Sequence, residues 1–200
     1  MKLHLGCGPR YLPGYIHVDI LKYNHIDILA DICDLSQIPN ESVDDIYASH
    51  VLEHFNRYQI LPVLREWNRV LKINGVIHIS VPDFLAVIEH YQSNEYLPEL
   101  IGLVCGGQKN EYDIHKMVYD EKLLTQFLNE SGFDDVKRYS WQDYLPCDYD
   151  DYSKCYLPHK NFDNGRLMSL NLAGIKVKSA PFEDPSNDLL FAMGIKKNYT

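Results

Sequence analysis

Two hundred residues, 46 % hydrophobic and 24 % charged, are enough for one folded domain with a core and argue against wholesale disorder. The net charge of −9, with no basic run, removes the cationic footprint that a phosphate backbone requires, so no nucleic-acid partner is expected. No apolar run approaches the roughly 18 residues of a membrane span, and the N-terminus lacks the apolar stretch of a secretory signal, which predicts a cytoplasmic chain. Five cysteines (Cys7, Cys33, Cys105, Cys147, Cys155), odd in number and without a C-x-x-C, suggest neither a disulfide framework nor a cysteine-held metal.

In chain order, KLHL (2–5) is a short strand running straight into Gly6-Cys7-Gly8, and YIHVDI (15–20) is the next. HIDILADI (25–32) reads as a third strand near its start, and VDDIYAS (43–49) as a fourth. LPVLREWNRVLKI (61–73) has helical apolar spacing and is expected to stop at Asn74-Gly75, where a fifth strand, GVIHISVPD (75–83), begins. FLAVIEHYQ opens another helix, a loop follows over 105–119, and DEKLLTQFLNESG (120–132) is a helix with an acid at its start and Gly132 at its end. VKRYSW (136–141) is a strand, residues 143–165 form a Tyr- and Asp-rich loop, RLMSLNLAGIKV (166–177) is the last strand, and a short helix is expected near DLLFAMG. One domain over 1–200 is expected, with 84–119 as an insertion or lid and 178–200 as a tail.

Alternating strands and helices predict a mostly parallel sheet covered on both faces, with ligands outside the carboxyl ends of the strands. Three features stand at those ends. Gly6 and Gly8 suit a backbone that passes close to a ligand. Asp19, at the second strand end, has the place of an acid that accepts from ribose hydroxyls, and Asp31 follows at the third. Asp19 follows Gly8 by only eleven positions, and Pro9 and Pro13 fall between them, so the first crossover is too short for a full helix. That disfavours a dinucleotide, whose pyrophosphate uses the amides of that helix, and favours a ligand without phosphates.

Taken together, LHLGCG, PGYIHVDI, ADICDL, SHVLEHF, REWNRVLKINGVIHISVPD and HKMVYDEKLLTQFLNESGFDDV resemble the class I S-adenosylmethionine-dependent methyltransferases. The likeness is to a compact bacterial-type branch; it runs through about residues 3–141, with a looser echo in SLNLAGIK. It implies a Rossmann-like seven-stranded sheet, S-adenosylmethionine as cofactor and S-adenosylhomocysteine as product. Gly6, Cys7 and Gly8 would line the methionine and ribose portion, and Asp19 would hold the ribose hydroxyls with Ile20 packed on the adenine. Asp31 would accept from the adenine amino group beside Ile32, and Ser49 and His50 would sit under the methionyl end. A small-molecule acceptor is expected, with sugars suggested by the branch's association with surface-glycan assembly. The shortened segment after Gly8 departs from the family pattern and puts the cofactor contacts there in doubt.

Methyl transfer needs alignment more than a triad, and a hydroxyl acceptor needs a nearby base. His115, in a segment whose Gly106-Gly107 pair suits a hinge, is the first choice, followed by Asp83 and His54. The Tyr-rich loop offers flat, polar-tipped rings that would suit covering a substrate. A non-catalytic, cofactor-binding member of the same fold is the alternative. The H-x-x-E-H of His50, Glu53 and His54 also matches an inverted zinc-peptidase signature. Two histidines four apart share a metal when both lie on one face of one helix, and here the strand runs up to His50. The zinc hydrolase therefore stays a remote alternative, and no metal is assigned.

Overall fold

The computed structural model describes residues 1–194. The elements run β1 (Lys2–Leu5), β2 (Ile16–Asp19), β3 (Ile28–Leu29), β4 (Val43–Ser49), α1 (Ile60–Val70), β5 (Leu71–Pro82), α2 (Phe84–Asn94) and α3 (Ile101–Cys105). Then follow α4 (Glu121–Asn129), β6 (Phe133–Arg138), α5 (Trp141–Tyr144), β7 (Tyr156–Leu157), β8 (Arg166–Leu167), β9 (Ser169–Lys176) and α6 (Asn187–Ala192). Seven strands form one sheet in the order β3-β2-β1-β4-β5-β9-β6, with β9 antiparallel to both neighbours and the β3-to-β5 portion parallel. β7 and β8 pair separately. No helix among the described residues is long and apolar enough to cross a membrane.

The sheet class, the strand alternation and the helix-free first crossover follow the sequence reading, but boundaries move. The strand expected over 136–141 is β6 at Phe133–Arg138, with Trp141 opening α5, and three others shift. α1 ends at Val70 because buried Leu71 is already extended and pairs with Val43; the Asn74-Gly75 turn then bulges within β5. β3 keeps only two residues, since Asp27 turns back to bond the His17 amide and Asp31 caps its own turn at Cys33. The last strand breaks at Met168, whose carbonyl accepts from the Asp83 amide. The expected short helix near DLLFAMG is α6, and residues 195–200 lie outside the described ones.

One face of the sheet is aliphatic. Leu3, Leu5, Val18, Ile46 and Ile77 pack with Leu64 and Trp67 of α1 and Phe127 of α4 in one core. Trp67 enters α1 on its buried face, and its indole N–H donates to Ile32 O at 2.9 Å, tying the helix to the end of the third strand. Lys176 Nζ, fully buried, donates to Asn68 O (2.8 Å) and Leu71 O (2.7 Å), a positive charge placed on the carbonyl end of α1.

The opposite face is built from rings. His17, His4, Tyr47 and His78 lie side by side across β2, β1, β4 and β5 in direct register. Leu12, Trp141, Leu145 and Tyr149 cover them, and Tyr144 stacks on His78 with centroids 3.7 Å apart. Tyr47 Oη donates to Asp151 at 2.5 Å. The Tyr-rich loop thus supplies the second layer that the missing crossover helix leaves open, and Tyr144 and Tyr149 serve as core rather than as a substrate cover.

His4 is 2 % exposed, and its Nδ1 has no partner. Burial, reinforced by the nearby His17, His25 and Arg10 charges, pushes its pKa down to about 3. An unfolded chain takes up this proton near pH 6.5, whereas the fold refuses it until about 3. Stability from this residue is therefore complete above pH 6.5 and lost as the pH falls through that window, by at most about 1.4 kcal/mol per unit. Urea midpoints between pH 7 and 5, above the carboxylate range, should fall, and should fall less steeply in His4→Phe. Parallel profiles for the two proteins would contradict a neutral buried His4.

Candidate active site

The carboxyl ends of β1, β2, β3 and β4 border one cleft of about 310 Å³, within the usual size of small-ligand sites. Gly6, Asp19, Ile20, Asp31, Ile32 and His50 all line it, so six residues anticipated as cofactor contacts are brought together.

Gly6 and Gly8 both have positive φ, at 60° and 55°. A Cβ on Gly6 would lie 2.6 Å from Val51 Cγ2, so this glycine is required by strand packing, whereas Gly8 faces open space and owes its identity to its backbone angle alone. Asp19, 6 % exposed, accepts from the Gly8 amide (2.8 Å) with one carboxylate oxygen and from the Leu21 amide (2.7 Å) with the other. It shapes both turns and still has a lone pair on each oxygen for a ligand. Asp31 accepts from the Cys33 amide at 2.9 Å and lies exposed at the cleft, cap and lining residue at once. Ile20 is 40 % exposed and Leu21 36 %, apolar surface facing the cavity between these acids.

Other expected residues do not reach the cleft wall. Cys7 is buried, with its thiol 3.9 Å from His25 Nε2 and its pKa pushed up to about 12 by burial and then by Asp19. Gly8 contributes only through the Asp19 bond, and Ser49 Oγ is buried without a partner. Asp83 is not at the cleft: it caps α2 at the Leu85 amide (3.1 Å) and pairs with Arg138 (3.1 Å).

His50, at the end of β4, has φ 53°. Its Nε2 lies 2.7 Å from Ser169 Oγ, and its ring packs on Tyr152. A 3-10 turn over Leu52–His54 follows, so no long helix carries the two histidines. Glu53 is fully buried beneath the cleft. Burial alone would raise its carboxyl pKa, but His50, His54 and His115 outweigh that and the net direction is down. His54 lines the cleft, with Nδ1 directed at Ile114 O (3.1 Å). His115 lies behind it, Nδ1 directed at Leu103 O (3.0 Å), and burial lowers its pKa despite Glu53.

Tyr112 and Lys116 come from the segment expected to supply acceptor-side groups, whereas Phe55, Gln59 and Glu111 were not anticipated as cleft residues. Glu111, Tyr112 and Lys116 arrive because the amides of Lys116 (2.8 Å) and Met117 (3.2 Å) donate to Glu53 O, pinning the 105–119 segment beside the 3-10 turn. Its glycines are packed rather than free: a Cβ on Gly106 would lie 2.5 Å from Asp113 O, and one on Gly107 2.4 Å from Asp113 Oδ2.

Residues 13–79 match the model of the family described as "Methyltransferase domain". A solved S-adenosylmethionine-dependent methyltransferase from Archaeoglobus fulgidus superposes with a TM-score of 0.54 at 17 % identity, covering 88 % of this chain and 85 % of that one. The chain shares the fold of S-adenosylmethionine-dependent methyltransferases, and about a third of it matches their domain model. Similar folds include a possible histamine N-methyltransferase from Thermotoga maritima (TM-score 0.51, 15 % identity, 88 % and 81 % covered). Another is the 1,6-didemethyltoxoflavin N1-methyltransferase of Burkholderia thailandensis, solved with its substrate and S-adenosylhomocysteine (0.53, 12 %, 88 % and 71 %). No curated protein matches the sequence.

The residues lining the cleft fit S-adenosylmethionine as a ligand. Two carboxylates with free lone pairs suit hydroxyl and amino donors, exposed Ile20 and Leu21 suit a flat heterocycle, and an acid-lined wall attracts a sulfonium cation. Asp19→Ala is expected to weaken S-adenosylhomocysteine binding by about 1–3 kcal/mol in calorimetry, the size of a hydrogen bond to a charged group. Equal affinity for both proteins would rule out the assigned contact.

Proposed function

We propose that the domain methylates a small polar acceptor, sugars included, that enters over His54, Tyr112 and Lys116. When bound, S-adenosylmethionine supplies an electrophilic methyl on a sulfonium leaving group. Gly6, Asp19, Ile20, Asp31, Ile32 and His50 hold and orient it. The chain's remaining task is to present the acceptor atom in line with that methyl and to exclude water.

The observation that carries this reading is the position of His54. Of the three expected bases, it alone lines the cleft that also contains Asp19 and Asp31. A carbonyl only accepts, so the nitrogen facing Ile114 O bears the ring proton and Nε2 keeps its lone pair. That nitrogen takes the proton of a hydroxyl or amine acceptor. Tyr112 and Glu111 offer a donor and an acceptor for such a molecule, and Lys116 a positive charge. The small-molecule substrate of the Burkholderia thailandensis neighbour is compatible with a cleft of this size.

Transfer from methyl-labelled S-adenosylmethionine to hydroxyl, amine and carboxylate acceptors tests the proposal. His54→Gln is expected to lower kcat about 10²–10⁴-fold for a hydroxyl acceptor and to leave S-adenosylhomocysteine affinity unchanged. Intact cofactor binding with no turnover on any acceptor class would favour a binding-only role.

A further inference from the structure

Beneath the acceptor end of the cleft, Glu53, His54 and His115 bring one ligand atom each within 4.8 Å of one another. The Glu53 side chain is 0 % exposed; Oε2 has no partner, and Oε1 has the His50 ring nitrogen at 3.3 Å and that of His115 at 3.8 Å. A buried carboxylate with one oxygen unpartnered is costly, and the rings of His54 and His115 beside it turn their Nδ1 atoms to backbone carbonyls.

The tautomers follow from the acceptors around the rings. His54 and His115 each direct Nδ1 at a backbone carbonyl, Ile114 O and Leu103 O, so both donate there and both keep their lone pairs on Nε2. His115 Nε2 lies 3.8 Å from Glu53 Oε1, two acceptors facing each other. A shared proton would draw them to hydrogen-bond distance, about 2.7–2.9 Å. Two metal–ligand bonds of about 2.0–2.2 Å span the observed gap. His115, fixed through Nδ1–H to a carbonyl with Nε2 facing Glu53, has the outer-shell support that metal ligands require.

His50 accounts for part of the Glu53 charge only. Ser169 Oγ–H donates to Tyr152 O, so Ser169 accepts from His50 Nε2, and His50 Nδ1 faces Glu53 Oε1 at 3.3 Å. A protonated His50 would pair with that oxygen and leave the lone pair of His115 facing it unrelieved.

We infer that Glu53, His54 and His115 form a binding site for a divalent transition-metal ion of the zinc class, held by two imidazole nitrogens and a carboxylate beside the acceptor end of the cleft. The residues differ from the pair that the H-x-x-E-H spacing suggests: His50 gives way to His115, which arrives from sixty-odd positions downstream. Three protein ligands leave a coordination position for water or another donor. This inference rests on the proposed acceptor end and deepens it. An ion takes the Nε2 lone pair on which proton acceptance by His54 depends, so metal-bound and base-competent cluster are alternative states of one site.

The test is titration of chelator-treated protein with Co²⁺ and Zn²⁺, followed by visible absorption and calorimetry, with S-adenosylhomocysteine affinity measured on the same samples. One equivalent is expected to bind the wild type and His159→Ala, which removes an exposed histidine elsewhere. His115→Ala and Glu53→Gln are each expected to weaken binding by more than about 100-fold, beyond the loss of an outer-shell partner. His54→Ala, at a half-buried position, provides the same readout if the Glu53 variant fails to fold. No stoichiometric uptake by the wild type, or a cobalt spectrum unchanged in His115→Ala, would overturn the site. Loss of S-adenosylhomocysteine binding by the wild type would instead count against the cofactor reading, whatever the metal result.

Discussion

Everything at the site depends on parallel register in the middle of the sheet. Leu5 pairs with Val18, and His4 with Tyr47, so β1, β2 and β4 end at nearly one level. The chain leaves β1 toward β2 on one side, while β4 joins on the other, and the crevice opens where the strand order reverses. Gly6, Asp19 and His50 are consequently neighbours on one rim, although 44 positions separate the first from the last. Asp19 locks this arrangement, since its carboxylate bonds the amides of both the Gly8 and the Leu21 turn. A single side chain thereby organises the loop and borders the cavity.

Omitting the first crossover helix has a structural consequence on the opposite face. A helix would bring a layer of aliphatic side chains; here the strands carry His17, His4, Tyr47 and His78 inward, and the 139–157 region lays aromatic rings over them. Rings bury large area with few rotatable bonds, and their polar tips find partners: the Leu12 amide donates to His17 Nε2, and His17 Nδ1 gives its proton to Asp27. His4 is the exception, with an unpartnered Nδ1 that can exist there only without charge.

Glu53 links the two ends of the functional region. Its backbone carbonyl receives the Lys116 and Met117 amides and so fixes the segment that brings Tyr112 and Lys116 to the cleft mouth. Its side-chain carboxylate lies beside His50 and His115. Placement of the acceptor wall and the electrostatics beneath it therefore depend on the same residue.

Local chemistry carried much of this in readable form. KLHL, VDDIYAS and the Asp120-capped helix appear with boundaries close to those expected, because alternation, caps and Pro9 and Pro13 act over a few residues. The glycine turn, Asp19 and Asp31 were legible because strand ends in a parallel sheet share one edge whatever the loops do. What pattern could not convey is contact between distant segments. Nothing near Asp83 in the chain signals that Arg138 will engage it, and nothing in CGGQKNEYDIHK says that the Lys116 amide will bond Glu53 O. Composition and spacing thus established the class of fold and the strand-end residues Gly6, Asp19 and Asp31 that border the cleft. The acceptor side, and the meeting of His54, His115 and a buried Glu53, arose from long-range packing, because backbone bonds across sixty residues have no local signature.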